Sequence, residues 1–312
     1  MISPAGAVGR HVHRVAAAVL PVRGRPGIAI RRLATLAWLA YGRPLLGQDV
    51  NLSSRHTTSS VAVDVVIPAT DKDLTTLPLA VHSVRMHLKH PVGTVYVIGP
   101  IESAVRGLCD GLDVTFVDES TACRIPKRQI EYVVDGVDRS GWLFQQFIKL
   151  SADGVARTDK FLVMDADTAL IRDQVFEHRG KTIVNQSDEF HQPYRDAYRR
   201  VTGTEPSSSL SFVTHHMLFD KEQLRQLKAD IEARGQMNWE DYILASLDYS
   251  ESSNFSEYEL YGNHLMRSEA SVQKAFWFNI ALDRSALPVD DLDGLASGWT
   301  KSVSFHSYLN EQ

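Results

Sequence analysis

The chain has 312 residues, 44% of them hydrophobic and 23% charged, and a net charge of −5. That composition suits a globular protein with a core large enough for one α/β domain or two smaller ones, and the acidic balance argues against nucleic acid as a partner. The two cysteines, Cys109 and Cys123, make neither a disulfide framework nor a zinc spacing, so a reducing, cytoplasmic setting is expected.

Charge is unevenly divided along the chain. Residues 1–60 hold eight arginines, one aspartate and no lysine or glutamate, a net of +7 that leaves −12 for residues 61–312. No apolar run in this head reaches the roughly 18 residues of a spanning helix. "LATLAWLAYG" lies too far from the start for a signal segment, and Pro21, Pro26 and Pro44 interrupt any long helix. Two readings stay open: an extension packed on the main domain, or a basic amphipathic segment touching anionic lipid at the inner face of the membrane. "SSRHTTSS" (53–60) reads as a linker, so the expected domains are 1–60 and 61–312.

From Val61 strands and helices alternate. "VAVDVVIPA" (61–69) is β-branched and ends at Pro68, as a buried strand does; residues 72–89 then carry helical spacing through Leu77, Val81, Val84 and Leu88. "TVYVIGP" (94–100) and "VTFVDES" (114–120) are the next strands. The loop "CRIPKRQ" follows, where Arg124, Lys127 and Arg128 either receive a diphosphate or anionic acceptor or are simply solvated. A helix is expected over 141–156, with Leu143, Phe147 and Leu150 inward. Lys149, four residues after Gln145, is a phosphate contact or a solvated side chain. Further strands are expected at 160–167, 182–188 and 211–219, and helices at 220–235, 239–248 and 257–267. Such alternation predicts a mainly parallel sheet with helices on both faces and ligands beyond the carboxyl ends of its strands.

In "FLVMDADTAL" (161–170) an apolar strand stops at Asp165 and Asp167. Carboxylates at i and i+2 leave an extended strand on one side, where they can share a divalent ion, Mg²⁺ or Mn²⁺, that bridges phosphate oxygens. Two uncompensated anions there are unfavourable without a cation; an ordinary Asp-rich turn is the alternative. In "FSEYELYG" Ser256 and Glu259 have capping-box spacing, which leaves Glu257 exposed at a helix start as the first candidate acid/base group. "NWEDYIL" has the same form, so Glu240 and Asp241 compete with it. Adjacent His215 and His216 face opposite ways on a strand, so only one enters a cleft.

These stretches carry a resemblance. "FLVMDADTAL" resembles the DxD strand of GT-A glycosyltransferases, and "VDVVIPATDKD" resembles that fold's first strand, whose end meets the nucleobase. Residues 61–312 are similar to a bacterial group of glycosyltransferases of the DUF6492 type, through "GWLFQQFIKL", "FLVMDADT", "SFVTHHMLF" and "SEYELYGNHL". The resemblance implies a GT-A, Rossmann-like fold with a mixed, mainly parallel sheet. It also implies metal-dependent transfer of a sugar from a nucleoside-diphosphate sugar, UDP or GDP, to a glycan or lipid-linked acceptor. Its nucleotide would meet Pro68, Thr70, Asp73 (or Asp71), Arg128, Lys149 and Asp165. Its Mn²⁺ or Mg²⁺ would meet Asp165, Asp167 and the late His306 of "FHSYLN". His215 or His216 would contact substrate, and His216 stands as a catalytic candidate beside Glu257 and Asp241. A nucleotidyltransferase is the first rival, but it should carry a Gly-rich loop where this chain has "PATDKDLTTLP". A non-catalytic relative binding nucleotide or glycan is the second.

Overall fold

Residues 61–69 are almost wholly apolar because the strand they form is covered on both faces. The computed structural model describes residues 49–53, 57–268, 271–287, 292–296 and 299–306, so the readings of the basic head fall, for residues 1–48, outside this description. The strands in chain order are β1 (Val63–Pro68), β2 (Val92–Gly99), β3 (Thr115–Asp118), the hairpin β4 (Val133–Val134) and β5 (Val137–Asp138), β6 (Lys160–Met164), β7 (Thr168–Leu170), β8 (Glu177–His178), β9 (Lys181–Gln186), β10 (His216–Asp220), β11 (Val272–Phe276), β12 (Phe278–Asp283) and β13 (Thr300–His306). The helices are α1 (Val50–Ser53), α2 (Leu77–His87), α3 (Val105–Leu112), α4 (Glu119–Ala122), α5 (Ser140–Ser151), α6 (Gln192–Thr202), α7 (Lys221–Gly235), α8 (Trp239–Ser246) and α9 (Glu257–Arg267).

The central sheet has the order β10-β6-β1-β2-β3, parallel throughout except that β10 runs antiparallel to β6. Alternate residues leave it on opposite faces. Val63, Val65, Ile67, Val97 and Leu162 pack with Leu77, Val84 and Cys109 of α2 and α3; Val66, Ile98, Phe161 and Val163 pack with residues of α5 to α9. Phe161 and Phe219 are direct cross-strand partners and stack at 5.6 Å. The fold is therefore the expected α/β, mainly parallel sheet with helices on both faces.

Some elements are absent from the sequence reading. Helix α6 buries only Ala197, Tyr198 and Val201 among arginines and other polar residues, so its apolar spacing is faint. The strand expected at 211–219 starts at His216, because His215 turns the chain at φ 62°. Two small sheets, β11-β9-β8 and β12-β13-β7, were also not anticipated. The second matters most: β7 begins directly after Asp167 and pairs antiparallel with β13, and Phe305 N donates to Asp167 O at 2.8 Å.

Residues 49–53, inside the expected extension, are fastened to the body. Asp49, the head's one acidic residue, meets the wholly buried Lys301 Nζ at 2.5 Å, and Asn51 exchanges hydrogen bonds with the Val175 backbone. Burial pulls the Lys301 pKa below that of a free lysine in spite of Asp49. Among the described residues no helix is long and apolar enough to cross a membrane.

Candidate active site

β6 and β2 flank β1 on opposite sides, which makes the carboxyl ends of β1 and β6 the topological switch point where open α/β sheets take ligands. The Thr70–Asp73 loop follows β1 and Asp165 follows β6. Ala166 and Asp167 lie in a turn rather than on extended strand, so the two carboxylates take different partners.

Asp165 Oδ1 accepts from Tyr258 Oη at 2.8 Å and pairs with Lys149 Nζ at 2.6 Å; its Oδ2 faces His215 Nδ1 at 3.2 Å. Burial alone would raise the Asp165 pKa, but Lys149 and His215 outweigh it and hold the carboxyl well below its usual range. Asp167 Oδ2 instead lies 3.6 Å from His306 Nδ1 and 3.9 Å from Arg284 Nη2. The chain itself thus brings cations to the paired aspartates, which corrects the premise that they stand uncompensated.

Lys149 is not a solvated helix residue. It sits on the inner face of α5 and donates to Glu257 Oε1 at 2.7 Å, with its ammonium 4.5 Å from the centre of the Tyr258 ring. Burial opposes its charge, and Asp165 and Glu257 outweigh burial to raise its pKa. Glu257 is likewise not exposed at its helix start: α9 packs on α5 and leaves the side chain 1% exposed. Burial raises its pKa, with Lys149 opposing. Ser256 does cap α9, accepting from Glu259 N at 3.2 Å, but the Glu259 carboxylate accepts from Ser211 Oγ and Phe212 N instead of closing a box.

Of the two histidines, His215 enters the cluster and His216 does not. His215 is a non-glycine residue in the left-handed region, a conformation that surrounding structure must enforce. Its Nε2 meets Glu189 Oε1 at 2.9 Å, and Glu189 with Asp165 raises its pKa well above the ordinary value against the effect of burial. His216 is a core residue: 1% exposed, 3.9 Å from Trp277 and 4.8 Å from Phe176 between ring centres, with Nδ1 2.7 Å from Thr214 O. Burial lowers its pKa to about 3, so it stays neutral and packed away from the aspartates.

The other candidates disperse. Asp241 pairs with Arg124 at 2.7 Å on the surface, and Arg124 also meets Glu240 at 3.3 Å, which removes Arg124 from the basic loop. Arg128 is exposed on a 3₁₀ turn, Lys127–Gln129. Pro68 is buried at the end of β1. Asp73 accepts from Thr70 N at 3.0 Å and from Arg284 at 2.8 Å, while Asp71 ties the loop to Ser103 at 2.5 Å and Ala104 N at 2.9 Å. Beside this loop lies a cleft of about 530 Å³, lined by Thr70, Lys72, Ser103, Glu119, Lys127, Trp142 and neighbours. A cavity of this size takes a small organic ligand.

Among the described residues no group of three or more His, Cys, Asp or Glu is arranged to hold a metal ion. Asp165 is engaged by Lys149, Tyr258 and His215. Asp167 and His306 form a two-donor set of carboxylate and imidazole, donor types that suit Mg²⁺ or Mn²⁺. Sequence reasoning missed Tyr258, Glu189 and Arg284: Tyr258 lies inside "FSEYELYG", where only the carboxylates were weighed, no motif marks Glu189, and Arg284 lies in a stretch where no element was expected.

A family model described as "Family of unknown function (DUF6492)" matches residues 60–292. No curated protein matches the chain. Among solved structures, the apo form of mouse xyloside xylosyltransferase 1 is 13% identical and aligns over 79% of this chain and 98% of its own, with a TM-score of 0.46. The galactosyltransferase LgtC in complex with donor and acceptor sugar analogues is also 13% identical, over 78% of this chain and 87% of its own, with a TM-score of 0.43. Likeness at these scores carries no argument about activity.

Proposed function

We propose that this chain, which belongs to the DUF6492 family, is a metal-dependent glycosyltransferase that uses a nucleoside-diphosphate sugar. The observation that carries the reading is that the loop after β1, which lines a cleft of about 530 Å³, is bridged by Arg284 toward the Asp167–His306 pair after β6. Asp167 and His306 would hold Mn²⁺ or Mg²⁺, which when bound neutralises charge on the departing nucleoside diphosphate. Lys149 and His215 hold Asp165 ionised, and Tyr258 holds it in place, to orient the donor. Glu257 acts through Lys149 rather than on substrate. In the cluster Glu189 has the most exposed carboxylate side chain, at 40% against 22% for Asp165, 23% for Asp167 and 1% for Glu257. That exposure favours it as the group that takes a proton from an acceptor hydroxyl if the reaction inverts the anomeric centre. The acceptor is a glycan or lipid-linked acceptor, with the basic head contacting anionic membrane.

The test is a melting-temperature screen of UDP, GDP and other nucleoside diphosphates with and without Mn²⁺, followed by sugar transfer from the best donor. Asp167→Ala should lose Mn²⁺-dependent nucleotide stabilisation and transfer while its circular dichroism is unchanged; full activity would remove the metal hypothesis. Glu189→Gln should bind nucleotide normally and transfer sugar on the order of 10²-fold more slowly. An unaltered rate assigns the proton to another group.

A further inference from the structure

Arg284 joins three pieces of the site that are distant in sequence. It follows β12 at the start of a 3₁₀ turn, Arg284–Ala286, with its side chain 18% exposed. Its Nε donates to Phe305 O at 3.1 Å, one residue before His306. Its Nη1 donates to Lys72 O, and its Nη2 donates to Asp73 Oδ1 at 2.8 Å and lies 3.9 Å from Asp167 Oδ2. Thr70 and Lys72 line the cleft, and Thr70 N is bonded to the same Asp73 carboxylate. One planar guanidinium thus spans the cleft loop, the end of β13 and the Asp-Ala-Asp turn. Only a rigid fork of several donors can do this; a lysine ammonium carries the charge on a flexible stem and cannot hold the same set of acceptors in one plane.

We propose that Arg284 is a positioning residue that couples the cleft to the Asp167–His306 pair, so that a nucleoside diphosphate and a divalent cation strengthen each other's binding. The inference rests on the donor-site reading above. Occupation of the cleft settles the Thr70–Asp73 loop; through Asp73 and the Lys72 carbonyl this sets the guanidinium; through the Phe305 carbonyl and Asp167 the guanidinium sets the spacing of the two metal donors. Coupling between two sites is reciprocal, so it can be read from either ligand.

The experiment is calorimetric titration of the full-length chain with UDP and with GDP, each with and without Mn²⁺. In the wild type Mn²⁺ should tighten binding of the preferred nucleotide by about tenfold or more, and the nucleotide should tighten Mn²⁺ by the same factor. In Arg284→Ala the ratio should fall by about threefold or more, to what a direct ion–phosphate contact supplies, with circular dichroism unchanged. Arg284→Lys keeps the charge and should show the same loss; it decides the matter if the alanine variant does not fold. Coupling at the wild-type level in either variant overturns the proposal. A wild type that binds nucleotide with no response to Mn²⁺ overturns it while leaving nucleotide binding intact. A wild type that binds no nucleoside diphosphate overturns the donor-site reading, and the coupling with it.

Discussion

Helix α8 opens with Trp239-Glu240-Asp241 after Asn238, and α9 opens with Glu257-Tyr258-Glu259 after Ser256. Each sets two carboxylates in a first turn, where the helix dipole favours them, and each finds a cation from a distant segment. The outcomes differ. Lys149 and Glu257 are 8% and 1% exposed, whereas Arg124 and Asp241 are 47% and 45% exposed. α9 packs on α5, which carries Lys149, so its first turn is sealed off from water; Asp241 at the start of α8 faces solvent. The contrast teaches that spacing places a charge on a helix but desolvation decides what it does. A paired charge in water contributes little, while a buried one is costly to leave alone. The Asp49–Lys301 pair, both side chains within 1% of full burial, belongs with Lys149.

The largest effect should come from breaking the buried side of this contrast. Lys149→Met leaves Asp165 and Glu257 facing each other without their ammonium and should cost about 3–5 kcal/mol in chemical denaturation. A loss below about 1 kcal/mol would place this pair with the surface ones.

A smaller effect is expected from trimming the head. A chain beginning at Ser59 lacks Asp49 and leaves the buried Lys301 ammonium without its carboxylate, holding only the Phe276 carbonyl. It should be less stable by about 2–3 kcal/mol than a chain beginning at Gly47, less than for Lys149 because removing residues 49–53 also opens Lys301 to water. Equal stability of the two would show that the Asp49 pair contributes nothing net. Both shortened chains should lose sedimentation with anionic liposomes, as the full chain should at high salt. Liposome binding equal to that of the full chain would remove the membrane role given to the head.

The smallest effect belongs to the exposed pair. Asp241→Asn should cost less than about 1 kcal/mol and leave sugar transfer intact. A variant of unchanged stability with no activity would return the catalytic carboxylate to α8 and reverse the assignment made from burial.

Local pattern along the chain specifies the layered sheet and the place of its ligand edge. The apolar runs at 61–69, 94–100 and 160–164 and the 3.6-residue spacing of 77–88 record which faces are buried, and Asp165 marks where the strand ends. Periodicity carries that much because it depends only on a residue's own element. It is silent on which element covers the face. That is why Glu257 read as exposed, why His216 stood level with His215, and why Lys149 could be assigned to solvent or phosphate but not to Asp165. Those outcomes were decided by tertiary structure alone: α9 closing over α5, a left-handed backbone at His215, and β7 pairing with β13 to bring His306 and Arg284 beside Asp167. The partner that fixes a buried charge can lie far away in the chain, 108 residues for Lys149 and Glu257 and 211 for Arg284 and Asp73, and no local pattern in one sequence encodes a distance of that kind.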